Sequence, residues 1–196
     1  MSLQPTFKRV GEGSTVQPGG IVQGEEYIVI GRKVQIQAPY WLTARPGSGA
    51  DEVLSIGDGC RISTNLTVDA VNSITLERKV FVGANVYLTD KIPFEANGGP
   101  FQVGYTKRSA GKLIIGKGTL IESGVVVGGN LRIGRGCIIR PDSVVLHDIP
   151  DYCEVSGNPA RVVKVYMPKL RDWVAASNEA EAAQLLEQRR NQPLEE

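Results

Sequence analysis

The chain of 196 residues holds a single histidine, His147, and that scarcity limits its chemistry. Histidine is the side chain whose ordinary titration range best suits proton transfer near neutral pH. Acid–base work must therefore use His147 or fall to carboxylates and amines. Asp90 and Lys91 stand side by side. Lysine is a poor base near neutral pH unless burial or a neighbouring cation depresses its basicity, and an adjacent aspartate pushes the other way. A metal held by three histidines is excluded, since an oligomer adds only copies of His147; no metal is expected. The three cysteines cannot all pair. Cys60 and Cys137 occupy positions that want a small buried side chain, so reduced thiols and a cytoplasmic address are expected. Arg132, Arg135 and Arg140 read as a solvated face.

The element that must position these residues is a six-residue repeat. From Ile115 every sixth residue is aliphatic: Ile121, Val127, Ile133, Ile139 and Val145. The period extends upstream in triplets: Val10, Val16, Val22; Ile30, Ile36, Leu42; Ile56, Ile62, Val68; and Leu76, Val82, Leu88. A hexad supplies one short strand and one corner, and three hexads close a triangular coil. Stacked coils pair their strands in parallel, and each aliphatic points inward onto its counterpart. A second small position follows four residues on, at Thr119, Val125, Leu131, Cys137, Ser143 and Ile149. Gly116, Gly128 and Gly134 follow aliphatics, and are expected at corners that need positive φ. The period is not 3.6, and β-branched residues are dense, so a helical reading fails.

The expected fold is all-β: a parallel β-helix of about six coils over residues 10–164, with a tail at 1–9 and an extension at 165–196. Insertions are expected over Thr43–Ser55 and Lys91–Ile114, the second long enough to be functional. A helix is expected from about Asn178 to Asn191, where Asn178 and Glu181 fit a helix start and Ala182, Leu185 and Leu186 form an apolar stripe. The charges nearly cancel, 22 Lys plus Arg against 21 Asp plus Glu, so neither nucleic acid nor an anionic membrane is expected as partner. No signal peptide or membrane-spanning apolar run is read, so no membrane insertion is expected.

The run Val155-Ser156-Gly157-Asn158-Pro159-Ala160-Arg161-Val162-Val163-Lys164, preceded by Asp148-Ile149-Pro150, resembles the C-terminal signature of the hexapeptide-repeat O-acetyltransferases of sugars and polysaccharide precursors. The resemblance implies a left-handed β-helix, a homotrimer with sites in the clefts between prisms, and acetyl-CoA as co-substrate for a sugar or glycan hydroxyl. It also implies a catalytic histidine after the Thr-Asp that closes the coil before the long loop; here the sequence reads Thr89-Asp90-Lys91. Acyl transfer to a hydroxyl needs a base and oxyanion donors. Candidates for the base are Lys91, Asp90, Glu95 and His147 of a neighbouring subunit. Ser123 and Gly124 stand where relatives place an oxyanion N–H. Arg161 and Lys164, with His147, match groups near the CoA phosphates, and Asn65 resembles an acceptor contact. Arg140-Pro141-Asp142 replaces the Gly-Ala-Gly of relatives, and Pro141 removes a backbone N–H from the CoA groove. Serine acetyltransferases also rely on histidine and fit less well. The competing function is a catalytically silent β-helix that binds a ligand or holds partners together.

Overall fold

The computed structural model describes residues 6–46, 51–91, 111–190 and 192. Within them the chain winds into six stacked coils, and its strands form three parallel sheets that wall a triangular prism. The expected aliphatics pair one for one. Val10, Ile30, Ile56, Leu76, Ile115 and Ile133 form a continuous register in the first sheet. Val16, Ile36, Ile62, Val82, Ile121 and Ile139 do so in the second. Val22, Leu42, Val68, Leu88, Val127 and Val145 complete the third. From the second coil onward every one of these side chains is at most 2% exposed. The first coil has no coil above it, and Val10 is 46% exposed there.

The second interior position is filled as its size demands. Val34, Cys60, Val80, Thr119, Cys137 and Cys153 stack in one buried column. Thr119 is tolerated because its hydroxyl donates to the Gly134 carbonyl at 2.8 Å and accepts the Cys137 N–H at 3.1 Å. Burial pushes the Cys60 thiol up to about 11, the Cys137 thiol up to about 12, and the Cys153 thiol upward as well. All three cysteines are free and buried, which makes them packing groups.

The glycines following aliphatics have a different purpose from the expected one. A Cβ on Gly116 would lie 2.5 Å from the backbone of Gly134, and one on Gly134 would lie 2.4 Å from that of Asp151. These glycines let successive coils touch. Positive φ falls two residues later, at Gly118 (71°) and Gly136 (61°), and lysines adopt it in the same corner at Lys33 and Lys79.

The insertions are shorter than expected where they are described. Tyr40–Ala44 and Leu54–Ile56 are strands flanking the first, and Lys112–Ile115 is a strand ending the second. Glu95 and most of the second insertion lie outside the described residues. Further strands precede the helix expected in the extension 165–196. Cys153–Gly157 adds a parallel strand to the second sheet, and Ala160–Met167 and Asp172–Ala175 continue it antiparallel. These strands fall outside the hexad period and left no repeat to read.

The helix spans Glu179–Arg190. Asn178 Oδ1 accepts the Glu181 N–H at 2.9 Å, and the Glu181 carboxylate accepts the Ser177 N–H at 2.7 Å. Ala182 is buried and Leu185 and Leu186 pack on the core. Arg189 donates to the Asp151 carbonyl and, at 3.3 Å, to the Tyr152 carbonyl, fastening the helix over the last coil. No helix of the described residues is long and apolar enough to cross a membrane.

Candidate active site

Three edges join the sheets of the prism, and the candidate residues divide between two of them. The third edge, where the third sheet returns to the first, carries Asp69, Thr89, Asp90 and Lys91. Thr89 pairs with Asp69 on one side and Gly128 on the other. Its hydroxyl donates to the Asp69 carbonyl at 2.9 Å and accepts the Lys91 N–H at 3.2 Å. The Lys91 ammonium forms an ion pair with Asp69 Oδ2, and the two side chains are only 20% and 21% exposed. Asp69 Oδ1 is buried and has no hydrogen-bond partner among the described residues.

Asp90 is fully buried. Its carboxylate accepts the N–H groups of Val71 at 3.0 Å, Asn72 at 2.6 Å and Ser73 at 2.8 Å. Asp90 thus braces the turn between the third and fourth coils. A general base must reach a substrate proton, so this geometry removes Asp90 from that role. His147 follows the sixth-coil strand Val144–Val145 on the same edge and is exposed. Two strand spacings separate it from the Thr89 level, roughly 10 Å, so one chain does not bring His147 and Lys91 together.

The second edge, between the second and third sheets, carries the other set. Asn65 (φ 60°), Asn85 (59°), Gly124 (76°) and Asp142 (59°) form successive left-handed corners. Short polar side chains and glycine are the residues that adopt this conformation readily. Asn65 is therefore a corner residue, donating from Nδ2 to Asn85 Oδ1 at 2.9 Å. Ser123 is exposed, and its hydroxyl accepts the Ala84 N–H at 3.2 Å. The Gly124 N–H donates to the Ala84 carbonyl at 2.9 Å, so the ladder between coils already uses this expected oxyanion donor. The Gly157 N–H donates to the Ser143 hydroxyl at 3.2 Å, which brings the tip of the C-terminal hairpin to this edge.

The basic candidates are paired. Arg161 Nε lies 2.5 Å from Glu179, and Lys164 Nζ lies 3.0 Å from Glu154. Arg140 approaches Glu154 at 3.6 Å and Glu122 at 3.4 Å. Arg132 meets Glu77 at 3.5 Å, and Arg135 meets Asp151 at 3.2 Å while lying 5.4 Å over the Tyr152 ring. Arg132, Arg140 and Arg161 are exposed and Arg135 and Lys164 half-buried, and each of the five has a carboxylate partner. Among the described residues no cluster of three or more His, Cys, Asp or Glu could hold a metal ion.

Two features escaped the sequence reading. Asp69 is one; its signal was positional, because it directly follows the inward Val68 just as Thr89 follows Leu88. The other is the outward column of the third sheet: Ile21, Trp41, Thr67, Tyr87, Val126 and Val144. Ile21 is 52% and Trp41 48% exposed, and with Asn65 they line a shallow cavity of about 210 Å³. This face lies between the two edges. A strand run of about five residues separates the Ser123 corner from the Lys91 corner, roughly 15 Å.

Residues 112–147 match the bacterial transferase hexapeptide (six repeats) family. The chain is 24% identical over 132 residues to the putative lipopolysaccharide biosynthesis O-acetyl transferase WbbJ of Escherichia coli (strain K12), covering 63% of this chain and 66% of that protein. It is 26% identical over 112 residues to serine acetyltransferase 2 of Arabidopsis thaliana, covering 57% of this chain but 32% of that protein. The chain thus spans less than two thirds of either relative. Among solved structures it superposes on AntD, an N-acyltransferase from Bacillus cereus in complex with dTDP and 3-hydroxybutyryl-CoA, with TM-score 0.70, 20% identity and coverage of 93% and 92% of the two chains. Galactoside acetyltransferase in complex with coenzyme A gives TM-score 0.59 at 21% identity, covering 87% of this chain and 71% of that one. The likeness extends to the left-handed winding of the β-helix.

Proposed function

This chain is a hexapeptide-repeat left-handed β-helix, and on that premise we propose that it is a CoA-dependent acyltransferase, carrying acetyl from acetyl-CoA to a sugar or glycan precursor as a homotrimer in the cytoplasm. The observation that carries the reading is the division of the candidate groups between two edges about 15 Å apart. The C-terminal half of the second edge offers Ser123, the exposed Arg161 and, beside it, Lys164 for the pantetheine and phosphates of CoA. The third edge offers the polar, partly buried group around Lys91. Neither set completes a site within one chain.

A threefold ring completes it. With the apolar third sheets facing the axis, the second edge of one protomer adjoins the third edge of the next, and the arrangement closes. Ile21, Trp41, Tyr87, Val126 and Val144 then leave water together. In that ring His147 and Lys91 of one protomer face Ser123 and Arg161 of its neighbour. CoA lies toward the C-terminal coils, and the acceptor toward Asn65. His147 and Arg161 act as phosphate contacts. Arg161 exchanges its Glu179 partner for phosphate, a cheap exchange for an exposed pair. The solved structures of similar fold that hold CoA support this reading, as does the relative named for lipopolysaccharide O-acetylation.

Titration calorimetry with acetyl-CoA, alongside light scattering, tests it. The expected result is one acetyl-CoA per protomer and a mass of three chains. A trimer that binds no acetyl-CoA would establish the silent scaffold instead. The ion pair that occupies Lys91 is the observation favouring that second reading.

A further inference from the structure

We propose that the first edge of the prism, where the first sheet turns into the second, is a docking strip for an acidic peptide segment of another protein, one in which carboxylate and apolar side chains alternate. The proposal does not rest on the acyltransferase reading, which uses the other two edges. It begins with charge. The chain as a whole has a net charge of +1. Over coils two to five, however, this edge and the strands beside it gather Arg32, Lys33, Arg61, Arg78, Lys79 and Lys117 against the carboxylates Asp58 and Glu77. Backbone bonds stack the corners: the Gly59 N–H donates to the Arg32 carbonyl, that of Lys79 to Asp58, and that of Gly118 to Arg78. Both carboxylates are engaged. Asp58 accepts from the Arg32 guanidinium at 3.0 Å, and Glu77 accepts the Lys117 N–H at 2.9 Å and lies beside Arg132. Lys33, Arg61, Arg78, Lys79 and Lys117 are exposed and form no ion pair among the described residues. Lys33 and Lys79 also hold left-handed corners, at φ 55° and 59°, where Gly13, Gly59 and Gly118 stand in other coils. Glycine takes that conformation without steric cost, so the corner itself does not call for lysine, and an outlier of this kind points to a use.

An apolar column runs alongside. Arg61, Phe81, Leu120 and Ile138 are in register on the outward face of the second sheet. Phe81 is 44% exposed, and Leu120 and Ile138 are half-buried. Phe81 follows the corner residue Lys79 by two positions, and Leu120 follows Gly118 likewise, so the cationic and apolar rows lie roughly 7 Å apart. At Gly118 the corner is clear, since a Cβ there would have nothing within 4 Å. From the level of Lys33 to that of Ile138 the strip crosses four coil spacings, roughly 19 Å. An extended peptide of about six residues spans that length, with successive side chains pointing to opposite sides. Laid between the rows, it turns its carboxylates to the lysines and arginines and its apolar groups to Phe81, Leu120 and Ile138.

Shape and composition select this partner over other polyanions. The edge is convex, so a flat anionic membrane meets it only along a line. Nucleic-acid bases stack on aromatic platforms, and Phe81 is the single ring of this column. Leu120 and Ile138 suit aliphatic side chains instead.

Fluorescence anisotropy tests the proposal, with the full chain at low ionic strength and a fluorescein-labelled Glu-Leu-Glu-Leu-Glu-Leu peptide as probe. Saturable binding is expected. It should weaken at least about 10-fold in the triple variant Arg78→Gln, Lys79→Gln, Lys117→Gln, the loss of three exposed ion pairs. Phe81→Ser should weaken it about fivefold through lost apolar contact. Circular dichroism checks the fold of each variant. Two control peptides, with Gln in place of Glu or Ser in place of Leu, probe the unaltered protein and should bind more weakly by similar factors. No saturable binding of the Glu-Leu peptide, or binding unchanged in either folded variant, overturns the proposal. A Glu-Ser peptide bound as tightly overturns it by showing a bare polyanion site. Tighter binding to phosphatidylglycerol vesicles or to heparin, abolished in the triple variant, overturns it in favour of a membrane or an anionic glycan.

Discussion

Replacing Asp90 by asparagine separates a brace from a base. The carboxylate holds Val71, Asn72 and Ser73 through their N–H groups, with Oδ2 serving Asn72 at 2.6 Å and Ser73 at 2.8 Å and Oδ1 serving Val71 at 3.0 Å. Asparagine keeps the shape and one oxygen. Placed on Asn72 and Ser73, that oxygen still makes two bonds, each weakened by about 1 kcal/mol on losing its charge assistance. The amide NH2 then faces the Val71 N–H, donor against donor, for about 1–2 kcal/mol more. The sum is about 3 kcal/mol. For a chain of this size that lowers Tm by about 6–12 °C. Scanning calorimetry of purified Asp90→Asn protein measures it, with turnover read below the transition. Turnover per folded protomer is expected to stay within about threefold of the parent. A variant that melts within 2 °C of the parent but has lost about 100-fold or more in kcat would refute the brace and restore Asp90 as a base.

The two kinds of glycine predict opposite severities: Gly116→Ala, whose Cβ meets backbone at 2.5 Å, is expected to cost about 3 kcal/mol or more, whereas Gly118→Ala has nothing within 4 Å and pays only for its φ of 71°, about 1 kcal/mol, both read by denaturant unfolding. The thiols are expected to resist a disulfide reagent in the native protein at pH 8 and to react in denaturant. Because burial raises the folded Cys60 and Cys137 thiols to about 11 and about 12, their contribution to stability is complete below the unfolded thiol range near 9. It declines as pH climbs from there toward the folded values, so the unfolding midpoint should fall above about pH 9, and a flat midpoint would count against burial. Val126→Glu, on the outward apolar column of the third sheet, is expected to yield monomers by light scattering while circular dichroism stays β-rich.

The inward half of this molecule was legible because a buried position repeats its demand at every coil. Ile121 must be aliphatic for the same reason as Val82 and Ile139, between which it sits in register. Evenly spaced demand of this kind is visible in one sequence without any structure. The corners were half legible. Glycine was correctly attached to them, but Gly116 answers a close approach between backbones and Gly118 a left-handed turn, and a string of letters does not distinguish a missing Cβ from a positive φ. The antiparallel strands Ala160–Met167 and Asp172–Ala175 stood outside the period and went unread.

The site was harder to read because its residues answer to neighbours in space and not to the repeat. Lys91 could be placed at the right level from sequence, yet its partner Asp69 lies one coil away and 22 residues back. Asp90 looked equally poised until the three N–H groups of the preceding turn claimed it. A β-helix also imposes a division that no single chain repairs. Its corners hold the polar, conformationally special residues, and its flat faces hold pleated strands, so groups on different edges are kept a full strand apart. Chemistry that needs two edges must therefore borrow one. The apolar third face supplies the means: burying it against a threefold axis sets the edge bearing Ser123 against the neighbour's edge bearing Asp69 and Lys91. The same packing that hides Trp41 and Val126 would then assemble the site, and loss of the trimer and loss of turnover should occur together in Val126→Glu while each folded chain remains intact.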